Sequence, residues 1–341
     1  VKPLKVAVIG LGYFSRFHLQ AWAGLDGVEI IGVTDLDPSR IRWARDTFGV
    51  AGFADAADLL ARAPDIVDIV APPPAHAELV RMAVKRGRIV ICQKPFCRDL
   101  AEAEAVTAAA ETAGADLVIH ENFRFQPWYR TLKAFLDAGS LGRVWQCRFA
   151  LRPGDGRGPR AYLDRQPAFR TMPRLLIHET GVHFIDLFRW LFGEIETVYA
   201  DLTRLNPVIA GEDAGVMLLT HAGGVRSEFD GNRLADHPTD NPRRTMGEMV
   251  VEGEGGAVRL DGAGRLWLRR FGERLESELP LIAPVDDSSF GGGCVAALIA
   301  HVAAAVRGQG ALENRARDYL PVIRATHAAY RSAETGARVE L

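Results

Sequence analysis

Two parts of this chain carry side chains whose types and spacing suit proton transfer and charge stabilisation. His183 follows Glu179 by four positions in Leu176-Ile177-His178-Glu179-Thr180-Gly181-Val182-His183. On an α-helix that spacing leaves about 40° between them, so the two share a face. A carboxylate beside an imidazole orients the ring and favours its protonated form, which suits general acid–base work. A core histidine satisfied by a neighbour fits the same spacing. His178 and His183 lie five apart, about 140° around an α-helix. Two zinc ligands on one helical face need four, so no metal site is expected. Lys94, in Cys92-Gln93-Lys94-Pro95, closes a strand-like run. An ammonium there can steady negative charge developing on an oxygen; a surface lysine ahead of a helix fits equally.

A second kind of chemistry is written at the start of the chain. Gly10-x-Gly12-x-x-Ser15 follows the apolar run Val6–Ile9 and precedes a helical segment from about Phe14 to Ala23. The first glycine permits a tight turn, the second lets backbone approach a pyrophosphate, and helix N–H groups face its charge. Ser15 stands where the pattern usually has glycine or alanine. Asp35 lies twenty residues past Ser15 at the end of the next apolar run. A carboxylate there accepts hydrogen bonds from an adenosine ribose and repels a 2′-phosphate. NAD is therefore favoured over NADP, although Arg40 lies nearby.

The elements that must hold these groups alternate. Val6–Ile9, Val28–Thr34, Ile66–Ala71, Ile89–Cys92 and Leu117–Ile119 read as five buried strands, with helices at Ala75–Arg86 and Asp99–Ala113. Asp99-x-x-Glu102 reads as a capping box. This pattern implies a doubly wound parallel sheet. Past Asn122 the pattern changes. Pro127 starts a helix closed by Gly139, and Val144–Leu151 alternates with Trp145, Cys147, Phe149 and Leu151 on one face. Strand-like runs follow at Thr197–Thr203, Gly215–Thr220, Val225–Phe229, Met249–Glu252, Ala257–Leu260 and Leu266–Arg269, with long helices at Leu175–Phe192 and near the C-terminus. The expected organisation is a Rossmann domain over residues 1–122 and an α+β domain over 123–341 with a large open, mainly antiparallel sheet. That open face is a candidate surface for a homodimer or homotetramer.

Composition narrows the function classes. A net charge of −2 leaves no basic footprint for nucleic acid. Four cysteines without a C-x-x-C pair fit reduced thiols in the cytoplasm. The first apolar run leads straight into a glycine turn, so no secretory leader is expected, and Cys294–Val306 is too short to span a membrane. Six arginines (Arg152, Arg157, Arg160, Arg165, Arg170 and Arg174) crowd one turn-rich segment against Asp155 and Asp164. A solvated basic loop is the default, and guanidinium contacts to an anionic substrate group are the alternative.

Together these residues resemble the Gfo/Idh/MocA family, the relatives of glucose–fructose oxidoreductase and inositol dehydrogenase. The likeness rests on Gly10-x-Gly12 with Asp35, on Ala71-Pro72 to His76, on Lys94-Pro95, and on Glu179, His183 and Asp186 followed by Arg189-Trp190-Leu191-x-Gly193. It extends to Tyr330-x-Ser332-Ala333-x-x-Gly336. The resemblance implies hydride transfer between nicotinamide and a secondary alcohol of a sugar, cyclitol, polyol or sugar acid, with substrate held between the domains. Lys94 would bind the reacting hydroxyl and His183 would exchange its proton, with Glu179 in place of the family's usual aspartate. Gly10, Gly12, Tyr13, Phe14, Ser15, Asp35, Pro72, His76, Gln93, Lys94 and Asn122 would meet the cofactor. Arg124, Tyr162 and Arg174 are weaker candidates for substrate. Gln93 departs from the family's Glu-Lys-Pro. Two other functions remain open on the residues: a redox-neutral eliminase or hydrolase that uses NAD transiently, and a non-catalytic NAD-bound sensor, against which the retention of Lys94 and His183 weighs.

Overall fold

An apolar run without alternation must be covered on both faces. In the computed structural model, which describes residues 2–341, Val6, Ala7 and Val8 of the first strand have no exposed surface. The parallel strands are Leu4–Ile9 (β1), Val28–Thr34 (β2), Gly52–Phe53 (β3), Ile66–Ile69 (β4), Ile89–Cys92 (β5) and Asp116–Ile119 (β6). Their order is β3-β2-β1-β4-β5-β6. The strand order reverses between β1 and β4, and in such sheets ligands bind beyond the carboxyl ends at that point.

Around this sheet the sequence reading missed β3 and two helices. Gly52–Phe53 is too short to show a period. The helix Pro38–Phe48 did carry its signals: Asp37 caps it by accepting the Ser39 N–H at 2.8 Å, Pro38 opens it, and Gly49 ends it at φ +68°. Ala56–Leu60, capped by Asp55, is the other. At the helix Leu100–Thr112 the capping box is half as expected. Asp99 accepts the Glu102 N–H at 2.8 Å, but the Glu102 carboxylate reaches past Asp99 to the Arg98 N–H at 3.0 Å, drawn there by the Arg98 guanidinium.

Two compact units divide the chain. The first runs to Asn122 and includes Val295–Pro321; the second comprises Phe123–Cys294 and Val322–Leu341. The span 123–341 expected for one domain is thus shared. In the first unit Asn314 fastens the returning segment, its carbonyl accepting the Ile119 N–H at 2.9 Å and its amide donating to the Glu121 carbonyl at 2.7 Å.

The second unit is a nine-stranded sheet. Its strands are Val144–Leu151 (β7), Ile195–Thr203 (β8), Ala214–His221 (β9), Arg226–Asn232 (β10), Gly247–Gly253 (β11), Gly256–Leu260 (β12), Leu266–Arg270 (β13), Ser277–Leu279 (β14) and Val339–Glu340 (β15). They lie in the order β14-β13-β12-β11-β7-β10-β9-β8-β15, antiparallel except where β7 and β10 run parallel. Period-two burial leaves one face dry. Phe149, Phe229, Met217 and Val251 are buried there, and Phe184 of the helix Val182–Phe192 stacks on Phe149 at 3.9 Å. Trp145 shares the parity of Cys147 and Phe149 yet is 49% exposed, because it stands near the end of β7.

One continuous helix over Leu175–Phe192 was expected. The segment instead begins as a π-helix, Leu176–Gly181, and turns α-helical at Val182. A π turn bonds i to i+5 rather than i+4, so the uniform α-helical angle assumed between Glu179 and His183, and between His178 and His183, does not hold here.

Candidate active site

The glycine turn separates into two jobs. Gly10 has φ +95°, and a Cβ there would lie 2.6 Å from the Ala71 nitrogen and 2.7 Å from the Val70 carbonyl carbon. Backbone after β1 thus touches backbone after β4, and only glycine fits. Gly12 is the opposite: an added Cβ meets nothing within 4 Å. It is an open cradle, not a packing contact, which is what a pyrophosphate approaching backbone requires. Ser15 lies beneath it, fully buried, with Oγ donating to the Gly12 carbonyl at 2.7 Å. Its role is to fix the turn.

Asp35 is tied to the same turn. One carboxylate oxygen accepts the Leu11 N–H at 2.6 Å and the other accepts the Asp37 N–H at 2.8 Å, with Arg40 at 3.7 Å. Leu11, Gly12, Tyr13, Arg16, Ser39, Arg40 and Trp43 line a cavity of about 360 Å³ beside it. Tyr13 is held at the rim by Arg16, whose guanidinium lies 4.3 Å over the ring. Phe14 faces inward against His18 and His120. These residues fit an NAD adenosine and pyrophosphate.

Lys94 is half-buried at the end of β5. Gln93, 7% exposed, accepts the Lys94 N–H at 3.2 Å, and its amide nitrogen lies 2.8 Å from His18 Nε2 and 3.2 Å from His120 Nδ1. His18 continues to Asp68 at 2.8 Å, and the Trp22 indole donates to the same carboxylate oxygen at 2.7 Å. His18, Asp68 and His120 were missed by the sequence reading; an aspartate inside the fully buried strand Ile66–Ile69 was the signal. His76, expected to meet the cofactor, is fully buried. Its Nδ1 faces the Pro95 and Phe96 carbonyls at 3.0 and 3.1 Å and its Nε2 faces the Ala71 carbonyl at 2.8 Å. It stitches the loop that carries Lys94 to the chain after β4. Burial pushes its pKa down, favouring the neutral ring. Pro72 is exposed at the start of the short helical turn Pro73–Ala75, and Asn122 is buried at 2% exposure.

His183 is 6% exposed and stacks face to face on Phe123 at 3.9 Å. One helical turn on, buried Asp186 receives the Arg124 guanidinium, Nε to Oδ2 at 2.6 Å. Arg124, a substrate candidate on sequence, is spent in part on that pair. Glu179 accepts the Thr180 hydroxyl at 2.7 Å and lies 3.8 Å from Arg233. Arg233, missed by the sequence reading, is 1% exposed and forks onto Asp155 at 2.8 and 3.1 Å while donating to Thr180 Oγ1. Burial opposes its charge; Asp155 outweighs that and raises its pKa. Glu212 holds the π-helix, accepting the Leu175 and Ile177 N–H groups at 3.2 Å each and the Tyr330 hydroxyl at 2.5 Å. That hydroxyl in turn accepts the His178 N–H at 2.9 Å. The C-terminal motif is therefore structural: Ser332 likewise accepts the Ala200 N–H and donates to the Ala337 carbonyl.

The arginine-rich segment is partly solvated, with Arg157, Arg160 and Arg174 exposed, and its guanidinium groups have partners within the chain. Arg152 reaches Asp230, Arg157 the Leu234 carbonyl, Arg160 Asp164, Arg165 Asp155, and Arg170 the Pro159 carbonyl. Arg174 lies over the Tyr330 ring at 4.4 Å and 3.8 Å from Glu334. Tyr162 is 7% exposed in an apolar cluster with Ala161, Phe169, Leu175 and Ile209, and burial pushes its phenol up to about 12. Among the described residues no three His, Cys, Asp or Glu side chains gather as metal ligands, and no helix is long and apolar enough to cross a membrane.

The chain is similar to known proteins along its whole length. Residues 4–121 match the oxidoreductase family with an NAD-binding Rossmann fold, and residues 129–259 match the GFO/IDH/MocA C-terminal domain. A D-apiose dehydrogenase from Paraburkholderia graminis is 36% identical, covering 100% of this chain and 90% of that protein. An inositol 2-dehydrogenase from Saccharopolyspora erythraea is 26% identical over 81% of this chain and 83% of its own. An Agrobacterium radiobacter oxidoreductase, solved with NAD+, L-tartaric acid and magnesium, superposes with a TM-score of 0.88 at 30% identity, over 99% of this chain and 98% of that one. With the open Gly12 cradle, Asp35 at the end of β2 and both family profiles in register, the chain belongs to the GFO/IDH/MocA family of NAD-dependent oxidoreductases.

Proposed function

We propose that this enzyme oxidises a secondary alcohol of a sugar or cyclitol, with D-apiose and myo-inositol as the first compounds to try. The observation that carries the reading is the Gly10–Gly12 turn: packed shut at the first glycine and open at the second, with Asp35 fastened to it. NAD, when bound, supplies the hydride acceptor. His183 takes the proton from the reacting hydroxyl. Its ring plane is set by the stack on Phe123, and the pair of Asp186 with Arg124 anchors the helix that bears it. Lys94 steadies the oxygen as charge develops. Gln93 and His76 fix the backbone on either side of that lysine. Glu179 acts through the π turn, where Thr180 and Arg233 hold it. The test is redox turnover in His183→Ala and Lys94→Met against intact NAD affinity. Unimpaired turnover in either variant removes that residue from the mechanism.

We further assign the enzyme to the cytoplasm, on its four buried cysteines, and assign its open sheet face to self-association. Across that face Tyr199, Leu218, Glu228, Arg148 and Val250 form one row in register, with Leu218 44% exposed. Light scattering of Leu218→Arg tests the second point: a smaller particle supports it, and an unchanged one refutes it.

A further inference from the structure

The side-chain amide of Gln93 is the hinge of a buried polar chain in the first unit. A glutamine amide has one acceptor and two donors, and which end faces which neighbour is settled by the hydrogen bonds around it. Here the Lys94 backbone N–H, a group that can only donate, lies 3.2 Å from Oε1. Turning the amide over would set donor against donor. The oxygen therefore faces Lys94, and both amide hydrogens face the rings, at 2.8 Å from His18 Nε2 and 3.2 Å from His120 Nδ1. A ring nitrogen that accepts carries no proton. His18 must keep its single proton on Nδ1, where it donates to Asp68 at 2.8 Å. His120 keeps its proton on Nε2.

We propose that Gln93 is a positioning residue that fixes His18 and His120 as neutral rings of opposite tautomer and, through its amide oxygen, fixes the backbone that presents Lys94. The ring spacing agrees: the two imidazoles lie 4.2 Å apart between centroids, where two cations in a dry interior would repel strongly. A glutamate at this position could not do the same work. It has no hydrogens to give, so each ring would have to supply one. His18, already donating from Nδ1 to Asp68, would then be doubly protonated between two carboxylates. The glutamine found here thus decides which protons the site holds.

The kinetic part of this inference rests on the role proposed above for Lys94; the protonation part does not. Nitrogen-15 spectra of the histidine rings in the wild-type enzyme test it first. The expected result is a bare nitrogen at Nε2 of His18 and at Nδ1 of His120. A proton on His18 Nε2, or both nitrogens protonated in either ring, overturns the proposal. Q93E should then show His18 doubly protonated, with kcat lowered about tenfold and the KM for NAD little changed. An unshifted His18 spectrum, or an unchanged kcat in Q93E, overturns the positioning role. If Lys94→Met keeps full kcat, the lysine reading is the one that fails, and the wild-type ring spectra still decide on Gln93.

Discussion

Replacing each turn glycine by alanine should separate fold from cofactor binding. At Gly10 the new Cβ would sit 2.6–2.8 Å from three backbone atoms of Val70 and Ala71 in a left-handed conformation. The conformation costs about 1–2 kcal/mol, and the overlap adds about 1–3 kcal/mol, because β1 and the chain after β4 must part. A loss near 3 kcal/mol would lower Tm by roughly 4 °C for a chain of this size. At Gly12 no atom lies within 4 Å of the new Cβ and the backbone is not left-handed, so alanine costs the free protein nothing and adds about 0.4–1 kcal/mol through the unfolded state. The same methyl occupies the space through which backbone reaches the pyrophosphate. NAD affinity should fall at least tenfold, about 1.4 kcal/mol. Thermal scans without ligand and NAD titration by calorimetry read both quantities. Gly12→Ala binding NAD as tightly as wild type, or Gly10→Ala melting with wild type, would refute the division of labour.

Three further outcomes follow from the geometry. Arg233→Met leaves Asp155 with Arg165 as a weaker partner and should cost about 3 kcal/mol, the lower end for a broken buried pair; a urea midpoint equal to wild type would mean the pair is not a structural anchor. Tyr330→Phe removes one donor to Glu212 and one acceptor from the His178 N–H, worth about 1–3 kcal/mol, and should lower kcat more than it raises the KM for NAD; the opposite split would detach the π turn from catalysis. Stability should be greatest between about pH 7 and 9. Burial holds His76 and His221 below 6.5, so unfolded chains take up protons first and stability present above 6.5 is lost as pH falls. Cys97 and Tyr162 are pushed to about 12 while their unfolded counterparts ionise from 9.0 and 10.0. Stability is therefore also lost as pH climbs through that window, at up to about 1.4 kcal/mol per pH unit per group. Urea midpoints that stay flat from pH 5 to 11 would contradict this.

What the sequence made legible was local. The run ending at Ile9, the glycines after it and Asp35 are consecutive signals of strand, turn and strand end, and the structure keeps them together. Alternation in Val144–Leu151 marked β7 because each residue's face is set by its own position. Two-residue strands such as Gly52–Phe53 have no period to detect. The π turn escaped because a period of 3.6 was assumed, and what supports it, Glu212 and Tyr330, is donated from 35 and 152 residues away, respectively, with no local mark. Arg233 was invisible for the same reason: its partners Asp155 and Thr180 are distant in sequence. The segment Ala71–His76 shows that a histidine follows the strand but not that its ring turns inward to three carbonyls. The arginine-rich segment illustrates the converse, since charge density shows where guanidinium groups are and not that each has an acid or carbonyl waiting.

The central claim is hydride transfer with His183 as the proton acceptor. The most direct measurement is NADH absorbance with NAD and a panel containing D-apiose, myo-inositol and sugar acids, run on wild type and His183→Ala. The predicted result is turnover of at least one compound by wild type, reduced about 10²–10⁴-fold in the variant, with NAD affinity equal in the two. Full turnover in His183→Ala, or release of a leaving group from a glycoside without net NADH, would contradict it.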